Sequence, residues 1–95
     1  MSTLVRWNQN ARGHGERVRW INLGTHFVNR HTHVFASITE ISQPPGGMMD
    51  FPFLGAAKMT VNNIVPFDDG TVKLLVTIDW DEDLNYRLNF ATSDD

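Results

Sequence analysis

The stretch Thr71-Val72-Lys73-Leu74-Leu75-Val76-Thr77-Ile78-Asp79-Trp80 sets the fold class. Val72, Leu74, Val76, Ile78 and Trp80 occupy every second position, with Lys73, Leu75, Thr77 and Asp79 between them. Side chains of an extended chain point to alternate faces, so this period of two specifies a strand with one face turned to an apolar interior. Just beyond it, Leu84, Tyr86, Leu88 and Phe90 alternate in the same way with Asn85, Arg87, Asn89 and Ala91. The acidic connection Asp81-Glu82-Asp83 is short, and the two strands read as a hairpin.

Upstream, Asp68-Asp69-Gly70 is a hairpin turn signal, because glycine accepts positive φ and aspartate tolerates turn geometry. Residues 56–65 (AAKMTVNNIV) read as the preceding strand, with Met59 and Val61 on one face. The pair Asn62-Asn63 breaks the alternation there and predicts a bulge. Residues 33–41 (HVFASITEI) are β-branched and apolar and predict a strand in the middle of a sheet. Residues 17–23 (RVRWINL) predict another, with Val18 and Trp20 inward and the arginines outward. Residues 4–7 are the candidate sixth strand. The polar, glycine-containing residues 8–15 (NQNARGHG) read as the end of an N-terminal arm spanning 1–15. Residues 42–55 combine Pro44-Pro45, Gly46-Gly47 and Pro52, which break regular structure. That loop also carries Met48, Met49, Phe51, Phe53 and Leu54, so it either folds over one end of the domain or meets another subunit or partner. With no helical period anywhere, the expectation is an all-β fold: one domain over residues 1–95, built as a six-stranded antiparallel sandwich.

Composition bounds the rest. A hydrophobic content of 41% with 20% charged residues is that of a folded chain rather than a disordered one. A chain of 95 residues buries only part of its surface and, with no cysteine, has no disulfide to reinforce it, so subunit association is expected. No apolar run reaches the length of a membrane span, which predicts no membrane insertion. The first residues, Met1 to Trp7, lack the apolar core of a signal peptide. Work outside the cell, or on a virion-like particle, is therefore expected to depend on a non-classical route.

The net charge of −3 conceals an asymmetry. Residues 1–33 hold five arginines against one acid, Glu16, whereas residues 34–95 hold three bases against ten acids. These arginines are spread thinly, without a basic helix or a nucleic-acid motif, so no nucleic-acid partner is expected. Oppositely charged surfaces facing each other across subunits are the simpler expectation. Catalysis is not expected either. The chain has no cysteine nucleophile, Gly-x-Ser-x-Gly elbow, phosphate-cradling glycine loop or His-Glu-x-x-His, and no cofactor is implied.

Three segments together resemble the H-type lectin domain, a small antiparallel β-sandwich. Arg17-Val18-Arg19-Trp20 is similar to its early basic-apolar strand ending in an aromatic. Residues 34–41 (VFASITEI) are similar to its apolar strand ending in Ser-Ile-Thr-x-Leu. Residues 70–90 resemble its Gly-led strand, Thr-Trp-x-Asp turn and closing strand, here with Asp79-Trp80-Asp81-Glu82-Asp83 and Tyr86; Asn63-Ile64 stands where the family often has Asn-Val. The resemblance covers residues 16–92. It implies a homotrimer, sometimes stacked as a hexamer, with shallow sites for galactose-type sugars such as N-acetylgalactosamine at subunit boundaries.

On that resemblance the carbohydrate-binding candidates are Trp80, Asp81, Lys58, Asn10 and Arg12. Trp80 and Asp81 match the family's tryptophan and following polar residue at the turn. Lys58 is the cation nearest the family's arginine on the opposite strand, where Ala56 or Ala57 stands here. Asn10 and Arg12 lie in the arm, where the family has a Gly-x-Asp segment and residues 8–15 have no aspartate. Chemically, an aromatic ring packs on the C–H face of a sugar while flanking polar groups take the hydroxyls. The competing readings are that Trp80 completes the inward row and that Asp81 is a solvated turn acid. His31 and His33 are weak metal candidates, expected on one strand face with His26 or a symmetry mate to complete the site. Asp79, Asp81 and Asp83 resemble the start of a calcium loop without its glycine or distant glutamate. Two functions follow as expectations: a multivalent lectin-like module, or a structural or adhesive trimeric spike or fibre component of a phage-like particle that binds no sugar.

Overall fold

A computed structural model describes residues 4–42 and 51–93. Its strands are β1 (Leu4–Gly13), β2 (Gly15–Asn22), β3 (His33–Ser42), the two-residue β4 (Phe51–Pro52), β5 (Lys58–Pro66), β6 (Thr71–Asp79) and β7 (Leu84–Ser93). They form two antiparallel sheets, ordered β1-β7-β3-β4 and β2-β6-β5. The described residues contain no helix.

The alternation of residues 71–90 is the centre of this arrangement, but not as a hairpin. β6 pairs with β2 and β5, while β7 pairs with β1 and β3, so the expected hairpin is instead an arch that carries the chain from one sheet to the other. The physical reason lies in the two inward rows. Val72, Leu74, Val76 and Ile78 from β6 and Tyr86, Leu88 and Phe90 from β7 are all buried in one cluster. Two central strands with such rows bury more apolar area face to face than side by side in one sheet.

The N-terminal residues also differ from expectation. Residues 8–13 are not an arm; they continue β1 up to Gly13, paired throughout with β7. The chain then turns at His14 and enters β2 at Gly15, whose φ is 71°. Within the 42–55 stretch expected to lack regular structure, Phe51–Pro52 form β4, so the described residues hold seven strand segments rather than six. β3 lies inside its sheet as expected, between β7 and the short β4, which pairs through Ile41–Pro52 and Ser42–Phe51.

In β2 the facing is the reverse of expectation. Arg17, Arg19 and Ile21 oppose the buried residues Val76, Leu74 and Val72 of β6, whereas Val18 and Trp20 point outward and are 61% and 65% exposed. β2 is an edge strand, and Arg19 turns its inward position to use. Its Nε donates to the Tyr86 hydroxyl at 2.8 Å and its Nη2 to the Arg12 carbonyl at 3.0 Å, tying the edge of one sheet to the other. An inward charge on an edge strand also blocks pairing with another chain.

The hairpin and bulge expected upstream of β6 are present, with β5 at Lys58–Pro66 rather than over 56–65. β5 and β6 form a hairpin through Asp68-Asp69-Gly70, with Gly70 at φ 87° and Phe67 N–H donating to the Thr71 carbonyl at 2.8 Å. The register shifts between Val61 and Asn63. The side chain of the bulged Asn62 accepts from the Thr60 hydroxyl and donates to Thr77 Oγ1, bridging the bulge to β6. At this hairpin end the 23–32 segment crosses between the sheets. Val28 is fully buried in the common core, and Trp7 and Phe27 meet edge to face at 5.4 Å.

Candidate functional site

Three of the sequence-predicted residues gather at the end of the molecule opposite Val28. β6 ends at Asp79, and a tight turn follows in which Trp80 N–H donates to the Ile78 carbonyl at 2.9 Å. This turn takes Trp80 out of the buried row, and its side chain is left 42% exposed. Asp81 follows it and is exposed. Lys58 opens β5 directly across the ladder from Asp79, both on the outward face, which puts it on the strand beside the turn. An indole, a carboxylate and a cation thus share one sheet end.

Asn10 and Arg12 belong to the other sheet, with Arg12 close enough to the arch for its charge to bear on Asp83. They lie on the outward face of β1, opposite Arg87 and Asn85 of β7. Arg12 donates to Asn85 Oδ1 at 3.3 Å, and Arg87 Nε donates to Asn10 Oδ1 at the same distance. The five candidates therefore form two groups on different sheets of one chain.

A second arch stands beside the first. His14, between β1 and β2, donates from Nδ1 to Asp83 Oδ1 at 2.5 Å, so the two crossings are clamped together. This hydrogen bond, more than the nearby charges of His14, Arg12 and Arg17, holds the Asp83 carboxyl below the ordinary aspartate value. Arg17 Nε donates to the His14 carbonyl at 3.1 Å and steadies the same corner. The alternating acids Asp79, Asp81 and Asp83 do not converge as a calcium loop: Asp83 is engaged by His14, and the described residues hold no group of three or more potential metal-binding side chains.

The histidine pair does not share a strand face. His31 lies in the turn before β3, its N–H donating to Asn29 Oδ1 at 2.8 Å, and it lines a shallow surface depression with His26 and Thr32. His33 begins β3 on the outward face, opposite Ser93. Of the apolar loop, Met48 and Met49 lie outside the described residues. Phe51 and Phe53 are nearly half exposed and Leu54 wholly so, although Phe53 N–H is anchored to the Glu40 carbonyl at 3.1 Å.

The sequence reading missed Trp20. A depression of about 260 Å³ runs between the edge strands β1 and β2, lined among others by Asn10, Arg12, Val18 and Trp20. Lys73 Nζ lies 4.8 Å from the Trp20 ring centre and 5.3 Å from that of Phe67. The signal was present in Ile21, which shares its face with the arginines and outweighs the apparent inward pair Val18 and Trp20. No protein-family model, curated protein or solved structure matches this chain.

Proposed function

We propose that this chain is a carbohydrate-binding module of the H-type lectin kind, a homotrimeric sandwich that takes galactose or N-acetylgalactosamine residues at shallow sites between subunits. The observation that carries the reading is the half-exposed indole of Trp80 at the arch, with Asp81 beside it and Lys58 across the strand. A ring-shaped apolar surface flanked by an acceptor and a cation suits the C–H face and hydroxyls of a pyranose. Asn10 and Arg12 lie on the other sheet, so in this reading a neighbouring subunit's copies complete the site. Three weak sites on one particle gain avidity without any further contact.

Glycan array binding tests this directly. Galactose-type ligands are expected to bind, and Trp80→Ala is expected to abolish binding while leaving the circular dichroism spectrum unchanged. An empty array, or a variant that binds normally, overturns the reading. Light scattering supplies the second arm, with a mass three or six times that of the chain expected.

A structural or adhesive role, as in a spike or fibre of a phage-like particle, is favoured by a different observation. Val18, Trp20, Val65 and Phe67 leave apolar surface exposed on the three-stranded sheet, and Leu54 is fully exposed at the arch end. In that reading these surfaces dock neighbours. Deleting residues 46–54 is then expected to break the assembly, and an unchanged oligomer rules the loop out of that role.

A further inference from the structure

The outward face of the four-stranded sheet carries a trough separate from the arch. Its floor is Ala91 of β7, flanked in the ladder by Arg6 of β1 on one side and Phe35 of β3 on the other. The next row is Asn8, Asn89 and Ser37. Two adjoining depressions, of about 470 and 250 Å³, meet along this face and share Arg6 and Asn89 in their linings. The small alanine between two long side chains is what opens the space.

Each wall offers distinct chemistry. Phe35 is 59% exposed and so presents bare aromatic surface to solvent. Arg6 is exposed and makes no hydrogen bond or ion pair among the described residues. Asn89 shares its Nδ2 between the Ser37 and Thr39 hydroxyls at 3.4 Å each, while its Oδ1 accepts from no described residue. Arg6, Arg12 and Arg87 are the charged residues whose positions alternate onto this face, and no aspartate or glutamate of these strands does so. The face is therefore cationic on a chain whose net charge is −3.

We propose that this trough binds a carboxylate-bearing sugar, of the sialic or uronic acid class. The Arg6 guanidinium forks onto the carboxylate, a geometry in which both partners are charged and two parallel hydrogen bonds form. Phe35 packs on the C–H face of the pyranose, and Asn89 and Asn8 take ring hydroxyls. One aromatic among many amide and hydroxyl groups fits a sugar better than single-stranded nucleic acid, which needs successive aromatics to stack successive bases. The site stands on its own residues and does not depend on the arch.

The test is a titration of the isotope-labelled full chain, followed by amide and indole NMR shifts, with four probes. They are N-acetylneuraminic acid, glucuronic acid, neutral galactose and a single-stranded dT oligonucleotide. Saturable shifts at Arg6, Ser37, Asn89 and Ala91 with one or both acids, and not with galactose, are expected; which acid binds identifies the source of the carboxylate. Arg6→Gln is expected to weaken that binding about tenfold or more, the scale of losing one charge-assisted pair. Phe35→Ala should weaken it as well, and neither exposed substitution should shift the unfolding midpoint appreciably. The proposal is overturned by any of four results: no saturable shift with either acid, equal shifts with galactose, a response to the oligonucleotide alone, or an Arg6→Gln variant that binds the acids as before. Shifts confined to the Trp80 indole also overturn it, and would place the sugar at the arch instead.

Discussion

Arg19 donates from Nε to the Tyr86 hydroxyl at 2.8 Å, and this bond links β2 of one sheet to β7 of the other. Tyr86 is fully buried, and the Arg19 guanidinium lies 5.8 Å from its ring centre. The hydroxyl thus reaches a charged donor, and the arginine stem covers part of the core edge. Tyr86→Phe is expected to cost about 1–2 kcal/mol, the net value of a hydrogen bond to a charged group. Arg19→Ala should cost more, about 2–3 kcal/mol, because packing and the bond to the Arg12 carbonyl are lost too. Urea unfolding of the two single variants and the double variant checks the link. Strictly additive losses would show that the pair contributes no coupling.

Gly15 and Gly70 both hold positive φ, yet substitution should separate them. A Cβ on Gly15, at φ 71°, meets nothing within 4 Å. A Cβ on Gly70, at φ 87°, falls 2.4 Å from the Gly24 carbonyl carbon and 2.7 Å from the Thr25 nitrogen. That close approach seats the 23–32 segment on the β5–β6 turn, where Leu23 N–H donates to the Gly70 carbonyl at 2.9 Å. Gly15→Ala is expected to cost about 1 kcal/mol from backbone strain alone. Gly70→Ala should exceed about 3 kcal/mol, since backbone must move as well. Equal shifts in thermal midpoint would mean the crossing segment does not pack on the turn.

The register of β2 is open to a similar comparison. With Trp20 65% exposed and Ile21 against the core cluster, Trp20→Ala should cost under about 1 kcal/mol and Ile21→Ala about 2–4 kcal/mol. The reverse order would restore the inward tryptophan that the apolar pattern first implies. Trp20 fluorescence should also be readily quenched by iodide if its ring faces solvent.

Why some of this was legible and some was not follows from the kind of information each feature carries. Alternation in residues 71–79 and 84–90 reports which side chains face inward, and the buried rows of β6 and β7 agree with it. It does not report which strand lies alongside. A hairpin and an arch both use a short polar link, so Asp81-Glu82-Asp83 was equally consistent with each. Partner choice is decided by the total area buried when two doubly flanked rows stack, a property of all the strands together. In β2 the competing signal was one apolar pair against one aliphatic residue, and an edge position reversed it by making an inward arginine favourable. At the candidate site, Trp80 was legible because it ends an inward row. The grouping of Asn10 and Arg12 with Trp20 was not, because alternation does not say which sheet each strand joins, and β1 and β2, though consecutive, are edges of different sheets.

The His14–Asp83 clamp ties part of the acid stability to one contact. The hydrogen bond from His14 lowers the Asp83 carboxyl below its ordinary value, so the folded state favours the ionised form. A group depressed in this way contributes stability above the ordinary carboxylate range, and that contribution is lost as pH falls through the lowered folded value. Asp69 shares the behaviour, lowered chiefly by the Thr71 N–H that it accepts at 2.9 Å, so acid sensitivity of the intact chain reflects both sites. Comparison with Asp83→Asn isolates one. Near neutral pH the variant should unfold at a slightly lower temperature than the parent chain, the loss being small because the contact is solvent-exposed. On acidification below about pH 4 the two curves should converge, because the parent loses what the variant never had. A gap that stays constant from neutral pH to about pH 2 would show that the clamp carries no proton linkage, and that His14 and Asp83 merely lie close together at the crossing.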